Sequence, residues 1–162
     1  MARRYNTDMY RRAAANLRAA FPMAAFTTDV LTGFPGETEA EYQQTRAFIE
    51  EIGYARIHVF PYSQREGTKA AVMPGQLPRE KKEQRARELI ALGEEVSRRY
   101  RQGWIGRETD VLLEENQDGA WMGYTPEYIP VTLPECPACS AGAMLRVRLT
   151  ELTQEGMRGE IL

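Results

Sequence analysis

The chain has 162 residues, of which 43% are hydrophobic and 27% charged, and its formal net charge is −2. This composition is typical of a globular protein with one ordinary domain or two small ones. No run approaches the ~20 apolar residues of a membrane-spanning helix, and the start MARRYNTD has no apolar signal segment. We therefore expect a cytoplasmic protein without a global electrostatic attraction to nucleic acid.

The start of the chain predicts a helix and then a strand. Apolar residues recur at helical spacing over residues 7–21, with Thr7 as the expected N-cap and Pro22 as the terminator. The following segment, AAFTTDVLTG, is rich in threonine and in β-branched and aromatic residues, which favours a strand. It runs into GFPGET, whose two glycines and proline predict a tight turn.

A second helix and a second strand complete a βαβ unit. Thr38 and Glu41 have the spacing of a capping box, and Gly53 is expected to end the helix. The strand ARIHVF follows at once. Strand, helix and strand in succession predict two parallel strands joined by a right-handed crossover.

The remaining sequence predicts a connecting helix and a small barrel. Residues 78–103 are highly charged and strongly helical in propensity, and residues 104–162 contain five short strand-like runs separated by turn signals. Five strands in about sixty residues indicate a small antiparallel barrel of the oligonucleotide-binding kind. The predicted fold class is thus α/β plus all-β, with an α/β segment at 1–77, the connecting helix at 78–103 and the barrel at 104–162.

Metal and thiol chemistry has little support in the sequence. The only cysteines are Cys136 and Cys139, and the only histidine, His58, lies far upstream. A four-ligand zinc site needs two more ligands, and a thioredoxin-like pair would open a helix after a strand. We expect Cys136 and Cys139 to lie in a loop without a chemical role, no metal site, and His58 to be a structural residue.

Two segments are candidates for ligand binding. The turn Gly33–Thr38 meets a helix N-terminus, where backbone N–H groups can hold an anionic or polar ligand. A purely structural turn, with Glu37 favouring the helix dipole, is the alternative. Aromatic, polar and charged residues crowd the end of the second strand, where they could stack on a purine and contact a nucleotide or simply pack beneath a loop: Phe60, Tyr62, Ser63, Arg65 and Thr68.

These segments carry a family resemblance. TTDVLTGFPGETEAEY and HVFPYSQREGTKAA, preceded by MARRY and followed by the small barrel, closely resemble the tRNA methylthiotransferases over essentially the whole chain. The form HVFPYS is most similar to the subgroup that adds a methylthio group to C2 of N6-threonylcarbamoyladenosine at tRNA position 37. The C-terminal barrel resembles the TRAM domain, a substrate-recognition module of RNA-modifying enzymes.

The resemblance implies a fold, cofactors and site residues. It implies part of a radical-SAM (βα) TIM-like barrel, S-adenosylmethionine and two 4Fe-4S clusters as cofactors, and a tRNA anticodon stem-loop as partner. The residues implied for the S-adenosylmethionine side are Gly33, Phe34, Pro35, Gly36 and Glu37. Those implied for the substrate side are Phe60, Tyr62, Ser63, Arg65, Thr68, Arg3 and Arg4.

The chain departs from the family pattern at the cluster ligands. There is no CxxxCxxC motif, and three thiolates are needed to leave one iron of the cluster open. We therefore expect a C-terminal fragment that has no catalytic residue of its own and is inactive alone.

Two other functions fit parts of the sequence. A non-catalytic RNA-binding module would use base stacking and phosphate contacts by barrel residues, namely Trp121, Tyr124, Tyr128, Arg146 and Arg148. An unrelated α/β phosphate-binding enzyme is disfavoured because no nucleophile–base pair or metal-ligand cluster is evident.

Overall fold

The computed structural model describes residues 4–162. The chain divides into two compact units, Met1–Ser97 and Arg98–Leu162, which we call the helical unit and the barrel unit. The division falls inside the long third helix. None of the helices in the described residues is long and apolar enough to cross a membrane.

The first helix, α1, spans Thr7–Ala20. Its N-cap lies one residue before the N-cap that the sequence predicted. The N-cap is Asn6, whose side-chain Oδ1 accepts a hydrogen bond of 2.9 Å from the Met9 backbone N–H. Asn6 has an extended backbone, as an N-cap requires, whereas Thr7 is already helical. The prediction that Thr7 caps this helix was therefore wrong.

The predicted βαβ unit is confirmed as a pair of parallel strands joined by a helix. It consists of β1 (Thr27–Thr32), α2 (Glu39–Ile52) and β2 (Arg56–Pro61). Both hydrogen bonds of the Thr38–Glu41 capping box are present, and Gly53 ends α2 with a left-handed φ of 64°. These local signals are reliable because each satisfies backbone groups that a helix terminus otherwise leaves unpaired.

A single apolar core lies between the parallel sheet and the three helices of this unit. One face of the sheet contributes Val30, Ile57 and Val59. The helices contribute residues at helical spacing, and the fully or nearly buried members of the core are Ala14, Tyr42, Ile49, Ile52, Tyr54, Leu89, Leu92 and Val96. The opposite face of the sheet is exposed.

The third helix, α3, spans Arg79–Gln102 and follows a 3₁₀ turn at Lys69–Val72. At Gly93 the helix lies so close to the sheet that a Cβ placed there would come within 2.7 Å of Ile57 Cδ1. The missing side chain thus allows the helix to approach β2. The sheet of this βαβ unit has only two strands, and the described residues contain no second βαβ unit, so the predicted TIM-like barrel stays a prediction.

The barrel unit contains the five predicted strands in a closed ring. They are β3 (Glu108–Gln117), β4 (Ala120–Tyr124), β5 (Pro130–Pro134), β6 (Met144–Leu152) and β7 (Met157–Ile161). Their order around the barrel is β3-β4-β5-β7-β6. The ring confirms the prediction of a small five-stranded barrel.

The prediction of wholly antiparallel pairing was wrong. β5 and β7 pair in parallel, and the other four neighbouring pairs are antiparallel. A ring with an odd number of strands cannot alternate direction all the way round, so one neighbouring pair must be parallel. Alternate residues fill the interior, which is formed mainly by Val111, Leu113, Val131, Leu133, Val147, Leu149 and Met157.

Candidate ligand site at the end of the parallel sheet

The Gly33–Glu37 turn is held by one carboxylate. Glu37 Oε2 accepts a hydrogen bond of 2.8 Å from the Gly33 backbone N–H and one of 3.3 Å from Thr32 Oγ1. Arg85 of α3 reaches the same oxygen at 2.6 Å and also donates to the Glu37 carbonyl. Glu37 therefore stabilises the turn by a hydrogen bond within it and by an ion pair with the third helix.

Arg85 is the buried centre of this arrangement, with a side chain only 3% exposed. Its second terminal nitrogen lies 3.0 Å from Glu39 Oε2, and its guanidinium lies 4.8 Å from the centroid of the Tyr42 ring. Hydrogen bonds from Gln43 and then from Arg85 lower the pKa of the Glu39 carboxyl to about 2. Two carboxylates thus compensate the charge of one buried guanidinium.

The backbone donors of the turn are used internally. The N–H of Gly36 donates to the Gly75 carbonyl, that of Glu37 to the Phe34 carbonyl, and that of Thr38 to Glu41 Oε2. With the Gly33 N–H also occupied, these groups do not form an anion cradle. The hydrogen bonding supports the structural alternative for this turn, and its contact with S-adenosylmethionine stays a prediction.

The two predicted segments meet at the same end of the sheet. The Tyr62 backbone N–H donates to the Thr32 carbonyl at 2.8 Å, and the rings of Phe34 and Tyr62 pack edge to face with centroids 5.4 Å apart. Lys82 Nζ of α3 lies 5.5 Å from the Tyr62 ring centroid. Tyr62 is 9% exposed, and its hydroxyl is buried without a hydrogen-bond partner among residues 4–162.

The other predicted site residues differ in their exposure and in their hydrogen bonds. Phe60 is 51% exposed at the end of β2, and Ser63 and Arg65 are exposed in the segment that follows. Thr68 is engaged locally, since its hydroxyl donates to the Arg65 carbonyl and accepts from the Ala71 N–H at the 3₁₀ turn. Pro35 is buried in the glycine turn and Gly36 is exposed. Arg4 is exposed, and Arg3 lies outside the described residues.

Two polar residues near the parallel sheet were not predicted from the sequence. Arg85 lies on a helix crowded with charges, so nothing local distinguishes it from its neighbour Arg87. Asp29 lies mid-strand beside His58, with which it is in register on the exposed face. A carboxylate inside an otherwise uncharged strand is the signal that could have identified Asp29.

The barrel presents its charges differently. Arg146, Arg148 and Arg158 are the only basic residues of 108–162. Each pairs with a carboxylate on a neighbouring strand, at 3.4 Å to Asp110, 2.7 Å to Glu108 and 2.9 Å to Glu151 respectively. The three guanidinium groups are therefore partly neutralised before any phosphate approaches.

Metal chemistry remains without a site. Cys136 and Cys139 lie between β5 and β6, where they form a disulfide. In the part of the chain that the structure describes, no group of three or more His, Cys, Asp or Glu side chains is arranged to hold a metal ion.

Curated tRNA methylthiotransferases match the chain along its whole length. A threonylcarbamoyladenosine tRNA methylthiotransferase of Chlamydia pneumoniae is 32% identical over 162 residues, which cover 100% of this chain and 38% of that protein. The enzyme of the same name from Thermotoga maritima is 36% identical over 158 residues, which cover 97% of this chain and 36% of that protein. The family resemblance is therefore confirmed.

The methylthiotransferase relatives include two subgroups. A tRNA-2-methylthio-N6-dimethylallyladenosine synthase of Thermus thermophilus is 35% identical over 164 residues, covering 100% of this chain and 35% of that protein. Identity alone therefore does not separate the subgroups. The chain spans little more than a third of the length of the relatives that it matches.

Two other comparisons add nothing to this assignment. No family model matches the chain. A solved multidomain protein of Streptococcus pneumoniae with nucleic acid binding domains covers 36% of this chain and 23% of its own at 9% identity. Its TM-score of 0.34 is too low to establish a shared fold.

Proposed function

We propose that this chain is the part of a tRNA methylthiotransferase that forms one wall of the S-adenosylmethionine and substrate site and carries the TRAM-like barrel. In the complete enzyme, the reaction adds a methylthio group to C2 of a modified adenosine at tRNA position 37. The single observation that carries the proposal is the similarity of the whole chain to enzymes of that name, at 32–36% identity over their matched segments.

The arrangement of the two motifs supports this proposal. The glycine turn and the segment after β2 meet at the carboxyl end of the parallel strands, through the Phe34–Tyr62 contact. In α/β folds that end of the strands is where ligands bind. Exposed Phe60 offers an aromatic face, and exposed Arg65 offers a cation for a phosphate. These groups suit a nucleotide better than a small neutral substrate.

The described residues do not fit a 4Fe-4S cluster. Cluster assembly needs cysteine thiolates, and the two cysteines of the chain are joined to each other. We expect no methylthio transfer from the chain alone. S-Adenosylmethionine, the radical source that the family resemblance implies, would lie against Gly33–Glu37.

We infer the threonylcarbamoyladenosine subgroup from HVFPYSQREGT. The partner is then the anticodon stem-loop of a tRNA that carries this nucleoside. Because relatives from both subgroups match at similar identity, the substrate has to be decided by experiment rather than by degree of similarity.

The alternative of a stand-alone RNA-binding barrel has weak electrostatic support. Affinity for RNA depends largely on cations that contact phosphates. Residues 108–162 contain three arginines and ten acidic residues, and all three arginines are paired with carboxylates. The other arginines of the barrel unit, Arg98, Arg99, Arg101 and Arg107, precede the strands, so the strands themselves would depend largely on stacking by Trp121, Tyr124 and Tyr128.

A chimeric enzyme tests the proposed function. The matched segment of the Thermotoga maritima threonylcarbamoyladenosine enzyme is replaced by this chain and expressed in bacteria that lack their own methylthiotransferases. We expect mass spectrometry of tRNA nucleosides to detect the 2-methylthio derivative of N6-threonylcarbamoyladenosine. This chain expressed alone serves as the control and should give none.

Three outcomes are informative. Formation of the 2-methylthio derivative of dimethylallyladenosine instead would keep the family function and reject the subgroup. A folded, cluster-loaded chimera that modifies neither nucleoside would reject the proposed function. Methylthio transfer by the chain alone would show that the cluster ligands are not needed, against the reasoning above.

A further inference from the structure

The connection between β5 and β6 carries the two cysteines of the chain. It spans residues 135–143, between Pro134 at the end of β5 and Met144 at the start of β6. Cys136 and Cys139 form a disulfide across a sequence separation of three, and both are half-buried. The residues around them are exposed, namely Glu135, Pro137, Ala138 and Ser140. The disulfide therefore lies at the surface, within reach of a small molecule in solution.

A backbone turn brings the two cysteines together independently of the bond between their sulfur atoms. The Cys139 N–H donates to the Cys136 carbonyl at 3.0 Å, and the two Cα atoms are 5.2 Å apart. That Cα separation lies in the range that a disulfide requires. Because main-chain atoms hold the turn, the two thiols of the reduced chain remain close enough to form the bond again.

The ends of this connection are anchored in the barrel. Pro134 pairs with Ala120 of β4, while Leu113 of β3 donates to the Ala143 carbonyl and accepts from the Gly142 N–H, each at 2.8 Å. The disulfide closes a very short loop between these anchors, and a short closed loop restricts the unfolded chain much less than a long one. Breaking the disulfide should therefore leave the barrel folded.

The reduced state has a hydrogen-bond acceptor close by. Cys139 Sγ lies 3.8 Å from the Pro134 carbonyl oxygen. A disulfide sulfur carries no proton, whereas a thiol is a weak donor whose hydrogen bond this carbonyl can accept. The loop thus gives the dithiol an interaction that the disulfide lacks. Exposed disulfides are in general more easily reduced than structural ones, which resist the glutathione pool.

We propose that Cys136 and Cys139 form a reversible thiol–disulfide exchange site whose reaction partner is a low-molecular-weight thiol. The inference goes beyond the proposed function and does not depend on it. One small thiolate attacks a sulfur of the pair, the S–S bond breaks, and a mixed disulfide forms. A second small thiolate then attacks the sulfur of the first, which releases the small-molecule disulfide. Two electrons pass to the cysteine pair, and the two released cysteine thiolates take up the two protons that the attacking thiols lost.

The site differs from the active site of a disulfide oxidoreductase. A thioredoxin-like pair begins a helix, and the helix N-terminus increases the fraction of the attacking cysteine that is thiolate. Residues 135–143 contain no helix. We therefore expect a pair that comes to equilibrium with the surrounding thiols, rather than a catalyst of disulfide exchange in other proteins.

Glutathione is the probe for the test. The full chain is equilibrated without oxygen in mixtures of reduced and oxidised glutathione, quenched with acid and alkylated with a maleimide, and mass spectrometry counts the added groups. The ratio of dithiol to disulfide should rise about tenfold for each tenfold rise in [GSH]²/[GSSG], with a midpoint where both forms of glutathione are present. The fluorescence of Trp104 and Trp121, both in the barrel unit, should stay that of the folded chain throughout.

Single-cysteine variants show whether the two sulfur atoms act together. Cys136→Ser and Cys139→Ser each leave one thiol that cannot pair within the chain. In oxidised glutathione both variants should accumulate the mixed disulfide at least about tenfold more than the unchanged chain, in which the second cysteine displaces glutathione. Ser140→Ala is the matched control, because it removes an exposed hydroxyl beside the pair and should leave the midpoint unchanged.

Four results would overturn the proposal. A disulfide that resists reduced glutathione until denaturant is added would be a structural bond, and so would one whose reduction unfolds the barrel. Two maleimide groups at every glutathione ratio would show that the sulfur atoms do not pair. Equal amounts of mixed disulfide in the unchanged chain and in the single-cysteine variants would show that the two cysteines do not act together. None of these results bears on methylthio transfer, so the proposed function is tested separately.

Discussion

Arg85 in the helical unit and Arg148 in the barrel unit form ion pairs of nearly equal length. Arg85 lies 2.6 Å from Glu37, and Arg148 lies 2.7 Å from Glu108. The side chains of the first pair are 3% and 14% exposed, whereas those of the second are 46% and 42% exposed. Water screens the second pair and not the first. Breaking the first pair should therefore cost much more free energy than breaking the second, although the two distances are nearly equal.

The formal charge also changes sign where the barrel strands begin, ten residues after the start of the barrel unit. Residues 1–107 contain eighteen of the 21 basic residues and thirteen of the 23 acidic ones, so their formal charge is +5. Residues 108–162 contain three basic and ten acidic residues, so their formal charge is −7. Any attraction to tRNA phosphates therefore has to come mainly from the part of the chain before the barrel strands.

Breaking the buried pair should have the largest effect. Arg85→Met leaves the Glu37 carboxylate buried without its cation, and removal of one partner of a buried pair typically costs about 3–5 kcal/mol. Urea unfolding can assign the loss, because Trp104 and Trp121 both lie in the barrel unit. The circular dichroism transition of the helices should move to lower urea while tryptophan fluorescence changes little.

The control for this prediction is the exposed Arg87 on the same helix. Arg87→Met should change the free energy of unfolding by no more than about 0.5 kcal/mol. If Arg85→Met and Arg87→Met shift the helical transition equally, the Arg85–Glu37 pair does not hold the turn.

An intermediate effect is expected at Gly93. In an exposed helix, alanine is more stable than glycine by about 1 kcal/mol. Here a Cβ would collide with Ile57, and overpacking of this kind costs about 1–3 kcal/mol. Gly93→Ala should therefore destabilise the helical unit in the same urea experiment, and its effect should be smaller in an Ile57→Ala background, which lacks both colliding carbons. Stabilisation by Gly93→Ala alone would mean that α3 is not in close contact with β2.

Acid should weaken the helical unit through Glu39. Hydrogen bonds from Gln43 and Arg85 lower its pKa from 4.5 to about 2 in the folded state. A lowered folded pKa stabilises the fold above the unfolded pKa, and that stability is lost as the pH falls from about 4.5 through about 2. Glu39→Gln should reduce this pH dependence of the helical transition. An identical dependence in the variant would exclude Glu39 as a contributor.

The sequence predicted local features well and long-range ones poorly. The Thr38–Glu41 box and the Gly53 stop depend on residues three or fewer positions from the helix ends, so spacing was enough. Arg85 reaches partners 46 and 48 residues away, and no local pattern encodes that contact. Asp29 and His58 likewise became neighbours only through strand register. The parallel pair in the barrel, by contrast, follows from counting five strands in a closed ring.

The smallest effect is expected at the exposed pair of the barrel. Arg148→Gln should cost at most about 1 kcal/mol, because exposed ion pairs gain little over hydration and lose side-chain entropy. A double-mutant cycle with Glu108→Gln, followed by tryptophan fluorescence in urea, isolates the pair from other contacts of each residue. Added salt should reduce the coupling further, since the Debye length falls to about 3 Å at 1 M ionic strength. A coupling above about 2 kcal/mol that salt does not change would show that water does not screen this pair, and the contrast with Arg85 would then have to come from something other than burial.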